Sequence, residues 1–185
     1  MTVQLNPISY KYHFIASQYV RKWGAKTVVD VGGIGGLQQF VDAEVIDANR
    51  EHGVDGRKLP YADKLFDACV TINTLEHVGG SADQKKFLEE CIRVSKSLVA
   101  IFPFGPDAVR VEKVKAAIGH SHGCQVPQDV PVEVTERRVL TTCREHLLSL
   151  ALAPTQLPRN KYLEMLVAHE GNYEMNAQYT VLVSV

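Results

Sequence analysis

The chain has 185 residues, a length typical of one domain, and 45% of them are hydrophobic, enough for one sizeable core. The formal net charge is −1 and the isoelectric point is about 6.6, so the basic face typical of nucleic-acid-binding domains is not indicated. We therefore expect a single globular domain over residues 1–185 with no clear nucleic-acid binding.

Targeting, membrane and cysteine signals are weak throughout the chain. The first nine residues lack a charged region followed by an apolar run, so no secretory signal is predicted. No apolar run approaches the roughly 18 residues of a membrane span. The four cysteines form no C-x-x-C pair, so neither a zinc knuckle nor a redox dithiol is indicated, and the pattern favours reduced thiols in a cytoplasmic protein.

Strands and helices alternate over the first hundred residues, which predicts a mostly parallel sheet with helices on both faces. Apolar residues at helical spacing predict a helix over 7–23, and Gly24 is placed to end it. A β-branched strand over 27–31 then enters a glycine-rich turn, 32–36. The elements predicted next are a very short helix at 37–41, a strand ending at Asp47, a strand over 67–72, a helix over 81–96 begun by a Ser81–Gln84 capping box, and a strand over 98–102.

The last third of the chain is less regular. An insertion over 106–134, with a helix expected at 107–118, is rich in structure-breaking Gly and Pro and is interpreted as a lid. A helix is expected from Thr135 to about residue 148, and 177–185 alternates as a closing antiparallel strand. Residues 150–170 fit either helix or strand.

The turn 32–36 carries almost no side chains, so a ligand can approach its backbone and the helix N-terminus that follows. A tight turn without a ligand is the alternative. The G-x-G-x-x-G fingerprint of dinucleotide-binding proteins fails here, because counting from Gly33 puts Gln38 in the last position and counting from Gly32 puts Ile34 in the second. An NAD-dependent oxidoreductase is therefore disfavoured.

Other motifs follow the glycine turn in a fixed order. Asp47 ends the second strand, where a carboxylate can accept both hydroxyl protons of a ribose. Leu59-Pro60-Tyr61, Phe66-Asp67 and Leu75-Glu76-His77-Val78 come next. With these motifs, the chain over about 27–105 resembles class I S-adenosylmethionine-dependent methyltransferases. The resemblance implies a three-layer Rossmann-like α/β fold, with a mostly parallel sheet and an antiparallel C-terminal strand, and methyl transfer from S-adenosylmethionine.

The resemblance also implies which residues bind the cofactor: Asp30, Gly32, Gly33, Ile34, Gly36, Asp47, Asp55, Gly56, Ile72 and Asn73. Asp47 takes the ribose position and Asp55 the position that contacts the adenine amino group. Ile34 replaces the middle glycine of the family pattern, where backbone and methionine moiety come closest. The first two helices of the family must also be stunted, so a non-catalytic, methyltransferase-like binding module is the second interpretation.

Two groups of side chains could do more than bind the cofactor. Glu76 and His77 follow the carboxyl end of a strand, the ligand edge of such sheets, and either could act as a general base or fix the loop. His120, His122 and Cys124 are closely spaced, but no fourth ligand is evident, so a polar loop is favoured and no metal site is expected.

The absence of two known motifs reduces the classes of molecule that could accept the methyl group. No Asn/Asp-Pro-Pro-aromatic motif, found in amino-methylating DNA and glutamine enzymes, follows the strand over 67–72, and no Pro-Cys nucleophile pair of cytosine-C5 enzymes is present. Small molecules or proteins remain as acceptors, with no membrane partner expected. The sequence fixes neither the methylated atom nor the oligomeric state.

Overall fold

A computed structural model of the chain describes residues 4–5, 7–106, 108–109, 123–141 and 178–185. Within these ranges a six-stranded sheet lies between two helices. The helices are α1, Pro7–Lys22, and α2, Ser81–Val94. The strands are β1, Thr27–Val31; β2, Glu44–Ala48; β3, Phe66–Ile72; β4, Ser95–Pro103; β5, Glu136–Thr141; and β6, Gln178–Ser184.

The sheet has the strand order β2-β1-β3-β4-β6-β5. Strands β1 to β4 pair in parallel, so their carboxyl ends lie at one edge. Strand β6 runs antiparallel to both of its neighbours. The expected mostly parallel sheet with an antiparallel C-terminal strand is therefore confirmed.

The two faces of the sheet build two separate apolar cores, because successive strand side chains point to opposite faces. Val28 of β1 and Val70 of β3 belong to the core that α1 covers, whereas Val29 and Cys69 belong to the core that α2 covers. Helix, sheet and helix form the three predicted layers. The short helix expected at 37–41 is a single 3-10 turn, Leu37–Phe40, so little chain separates the glycine turn from β2.

Arg93, near the end of α2, holds the loop between β2 and β3 onto the helix. Its guanidinium donates to the backbone oxygens of Leu59 and Tyr61, at 3.0 and 2.8 Å. It also pairs with the carboxylates of Glu90 and Asp63, each at 2.7 Å. These bonds lower the pKa of Glu90, chiefly through the hydrogen bond from Arg93. The Arg93 side chain thus anchors the loop between β2 and β3 to helix α2.

The helix expected to begin at Thr135 is wrong, because Glu136–Thr141 is strand β5. Thr135 does not cap a helix: its backbone N–H and its hydroxyl both bond to the carbonyl of Val183, at 2.7 and 3.0 Å. The open edge of β6 offers this segment a complete row of backbone partners, and that pairing prevails over local helical spacing.

The capping box predicted for α2 is also wrong. Gly80 occupies the N-cap position without a side-chain cap. The Gln84 amide instead donates to the carbonyls of Gly79 and Gln125, at 3.2 and 2.7 Å, because the chain near Gln125 passes close to the helix start. Helix α2 ends at Val94, two residues earlier than expected, since β4 begins at Ser95.

Several expectations lie wholly or mostly outside the described residues: the helix at 107–118, His120, His122 and the segment 150–170. Among the described residues, no helix is both long and apolar enough to cross a membrane.

Replacing Arg93 should destabilise the fold by removing its charged hydrogen bonds to the loop. Arg93→Ala is expected to lower the free energy of unfolding by about 1–3 kcal/mol, as measured by urea denaturation. Lys85→Ala, which removes an exposed 3.8 Å pair with Glu89 on the same helix, is the control and should cost less than about 0.5 kcal/mol. Equal effects of the two changes would contradict an anchoring role for Arg93.

Candidate functional site

The candidate site lies at the sheet edge where β1, β2 and β3 end. The turn 32–36 follows β1, Asn49 follows β2, and Asn73 follows β3. In a parallel sheet, crevices beyond the carboxyl ends of the strands are the usual places for ligands. The structure therefore brings the predicted cofactor-binding residues from three strands to one edge.

The glycine turn is closely surrounded. Gly32 has φ +84°, and a Cβ built on it would collide with the side chain of Thr74. A Cβ on Gly33 would collide with the carboxylate of Asp30 and would lie 2.6 Å from Oδ1 of Asp47. These two positions need glycine for space, independently of any ligand. The Asn49 amide donates to the carbonyl of Gly33 at 2.6 Å and fixes the turn over the end of β2.

Asp30 and Asp47 face each other across the pairing of β1 with β2, where they are direct register partners. Strand alternation puts both carboxyls on the face of the sheet that α1 covers. Burial, reinforced by the charge of Asp47, raises the pKa of Asp30 to about 8. Asp30 is therefore largely protonated at neutral pH.

Asn73 adopts the left-handed conformation, φ 52°, at the end of β3, and its N–H donates to the carbonyl of Ile101 at 2.9 Å. Within the described residues, its side-chain oxygen is buried without a hydrogen-bond partner, as are Oδ2 of Asp30 and Oδ1 of Asp47. Buried acceptors without donors are costly. The oxygens of Asp47 and Asn73 at this edge fit a ligand that brings hydrogen-bond donors, such as ribose hydroxyls.

The loop after β2 carries the two remaining predicted positions. Asp55 forms a bidentate pair with Arg57, whose guanidinium reaches across to Asp83 of α2 at 3.2 Å. The hydrogen bonds from Arg57 lower the pKa of Asp55 to about 2, so Asp55 is ionised throughout the neutral range. A Cβ on Gly56 would lie 2.5 Å from the ring of Phe87, which explains this glycine by packing.

Ile34 and Ile72 differ in exposure. Ile34 is 62% exposed at the tip of the glycine turn, so its side chain occupies no space inside the turn. Ile72 is half-buried at the end of β3 and packs against the core beneath α1.

The two candidate bases lie on a 3-10 turn, Leu75–His77. Glu76 is buried, and its backbone carbonyl accepts a 2.7 Å bond from the N–H of Gln125. His77 is more open, with its ring nitrogens 3.6 and 3.7 Å from Sγ of Cys124. The described end of the 106–134 insertion thus passes directly beside both residues. No cluster suited to a metal ion occurs among the described residues.

Sequence reasoning missed two residues of this edge, Asn49 and His13. Asn49 carries no motif signal apart from lying two positions after Asp47. His13 of α1 is buried and contacts the glycine turn at Gly36. Its position three residues before the buried Ala16, beside the apolar stripe of the helix, is the signal that could have identified it.

Comparisons with known proteins agree with this geometry. Residues 20–101 match the family model of a methyltransferase domain. No curated protein sequence matches the chain significantly.

Solved structures resemble the chain over nearly its whole length, at low sequence identity. A protein from Galdieria sulphuraria described as a sarcosine dimethylglycine methyltransferase is 14% identical, with TM-score 0.57 over 95% of this chain and 85% of its own. The cyclase SpnF is 17% identical, with TM-score 0.55 over 92% and 80%. Phosphoethanolamine N-methyltransferase 2 of Haemonchus contortus, in complex with phosphomonomethylethanolamine and S-adenosylhomocysteine, is 12% identical, with TM-score 0.57 over 97% and 56%. The Rossmann-like fold is confirmed.

The raised pKa of Asp30 makes stability depend on pH. Between the unfolded pKa of about 3.9 and the folded pKa of about 8, the folded state holds a proton that the unfolded state has lost, so stability falls as pH rises. From pH 6 to 8, the wild type should lose on the order of 2 kcal/mol of unfolding free energy through this group. Asp30→Asn should remove that loss, as followed by urea denaturation at each pH.

Asp67→Asn is the matched control. Hydrogen bonds, first from Lys96 and then from the N–H groups of Lys26 and Thr27, lower the pKa of Asp67. Its contribution is complete above the unfolded pKa and disappears only in acid, so this change should leave the slope from pH 6 to 8 intact. A slope that Asp30→Asn leaves unchanged would show that Asp30 is ionised at neutral pH.

Proposed function

We propose that this chain is a class I S-adenosylmethionine-dependent methyltransferase whose acceptor is a small molecule, with a protein side chain as the alternative. The observation that carries the assignment of the site is the pair Asp30 and Asp47, facing each other over Gly33 at the carboxyl edge of the sheet. This pair lies within residues 20–101, the region that matches the methyltransferase domain.

We propose that the residues of this edge divide the cofactor between them. Asp47 accepts the hydroxyl protons of the ribose, and the loop of Asp55 and Gly56 lies beside the adenine. The buried oxygen of Asn73 accepts a further donor. The fixed turn 32–36 provides close backbone approach. When bound, S-adenosylmethionine supplies an electrophilic methyl group on a cationic sulfur, and an edge rich in carboxylates favours that charge.

The contribution of the chain to transfer is mainly alignment of the acceptor and exclusion of water, because a sulfonium methyl needs no further activation. Between the two candidate bases, we favour His77 for an acceptor that must lose a proton, because its ring is 43% exposed whereas Glu76 is buried. Glu76, whose carboxylate lies 4.0 Å from the ring, then positions His77. The insertion 106–134 is proposed to cover the acceptor.

Support for a small acceptor comes from the structural neighbours. The protein from Galdieria sulphuraria bears the name of a sarcosine dimethylglycine methyltransferase, and the Haemonchus contortus enzyme holds phosphomonomethylethanolamine. Small amines are therefore the first acceptors to test. SpnF, a cyclase, has the same fold, so an assay must detect the methylated product and not cofactor binding alone.

Removing the proposed ribose ligand should weaken the cofactor. Asp47→Ala is expected to lower S-adenosylmethionine affinity about tenfold or more, roughly 1.5–3 kcal/mol, as measured by calorimetry. Asp42→Ala is the control, because Asp42 is exposed just before the amino end of β2 and should leave affinity unchanged. A folded Asp47→Ala protein that binds as tightly as the wild type would refute the assignment.

Transfer itself is tested with S-adenosylmethionine labelled in its methyl group and a panel of small amines, with label followed into product. Label recovered in an amine supports the small-molecule proposal. Label recovered only in added protein substrates supports the alternative, and cofactor binding with no labelled product from either would favour a non-catalytic module.

A further inference from the structure

His13 connects the N-terminal helix to the glycine turn. Its Nε2 lies 2.7 Å from the point that a Cβ on Gly36 would occupy, which places the ring edge directly on the turn backbone. The ring stacks on Phe40, with centroids 6.0 Å apart and an interplanar angle of 25°. Phe40 is held in turn by the edge-on ring of Tyr10 and by a bond from Arg21 to its carbonyl. The orientation of His13 is therefore fixed from several sides.

The contacts of His13 also determine which ring nitrogen carries the proton. Nδ1 lies 2.6 Å from the carbonyl oxygen of Ser9, and a carbonyl oxygen only accepts, so Nδ1 bears the hydrogen. Burial lowers the pKa of His13, against smaller opposing effects of the Ser9 bond and the charge of Asp47. The ring is accordingly neutral at neutral pH, and Nε2 presents a lone pair toward the turn.

This lone pair is not explained by the fold. Among the described residues, none donates a hydrogen bond to Nε2. The residue as a whole is buried, but Nε2 itself does not belong to the buried side-chain atoms that lack a partner, so this nitrogen is open to a donor from a ligand or water. A hydrophobic residue could pack on Phe40 equally well, so packing on that ring does not account for an acceptor at this position.

We infer that Nε2 of His13 accepts a hydrogen bond from the α-ammonium group of the amino-acid half of the cofactor. The inference rests on the proposed function, which puts the ribose at Asp47 and the amino-acid half over the glycine turn. The ammonium is a cationic donor, and the nearby charge of Asp47 favours it at this place. His13 is then a specificity residue, which makes the site select ligands that retain the amino-acid half.

Two cofactor fragments separate this role from a structural one. S-adenosylhomocysteine carries the α-ammonium, and 5′-methylthioadenosine keeps adenine and ribose but lacks it. His13→Phe keeps an aromatic ring for Phe40 and removes the acceptor, so it should weaken S-adenosylhomocysteine about tenfold or more and leave 5′-methylthioadenosine within about twofold. His13→Gln, whose amide oxygen can reach the position of Nε2, should restore much of the affinity.

Asp47→Ala is the matched control and should weaken both ligands, because both contain the ribose. Equal loss of both ligands in His13→Phe, or no loss of either, overturns the inference. Failure of the wild type to bind either ligand overturns the proposed function instead, so the two failures are distinguishable.

A spectroscopic measurement on the wild type keeps the test independent of whether His13→Phe folds. In protein labelled with 15N-histidine, with the resonance assigned from the His13→Gln spectrum, Nε2 of His13 should resonate as an unprotonated nitrogen. It should shift on addition of S-adenosylhomocysteine and stay in place with 5′-methylthioadenosine. Identical shifts with both ligands would overturn the inference.

Discussion

The candidate site depends on the space that Gly33 leaves between two carboxyl groups. Asp30 and Asp47 occupy partner positions on β1 and β2, and any side chain at Gly33 would enter the volume that they fill. Burial of Asp30, reinforced by the charge of Asp47, raises the pKa of Asp30 and favours its protonated form. Gly33 is required because the side chains of Asp30 and Asp47 leave no room for a Cβ. The same lack of a side chain leaves the backbone of the turn open to a ligand.

The α/β fold and most of its elements were predictable from the sequence, because β1, β3 and β4 are each built around a short apolar run and the apolar residues of α1 follow a helical period. Strand β5 was not predictable, because Val139, Leu140 and Cys143 recur at helical spacing. What makes this segment a strand is its pairing with the edge of β6, about forty residues away. The wrong capping prediction at Gln84 has the same cause. Gln84 matches a local capping pattern, but its side chain donates to the carbonyl of Gln125, which is distant in sequence.

The site residues fall into two groups for the same reason. Those at the carboxyl ends of strands, such as Asp30, Asp47 and Asn73, were predictable from the sequence because parallel topology alone brings strand ends together. His13 was not, because its contact with Gly36 depends on how α1 lies on the sheet, which no motif encodes. The family resemblance assigned Gly56 to cofactor binding. The ring of Phe87 gives a simpler reason for a glycine at this position, because it leaves no room for a Cβ.

The direct junction of α2 with β4 links the two cores. Helix α2 ends at Val94 and the strand starts at Ser95, with no loop residue between them. Val99 faces the core beneath α1 while Ala100 faces the core beneath α2. Because no loop residue at the junction can absorb an insertion, a single added residue would turn every later side chain of β4 to the opposite face of the sheet. The junction therefore determines which of the two cores each side chain of β4 enters. The chain should tolerate length changes in its surface loops far better than at this junction.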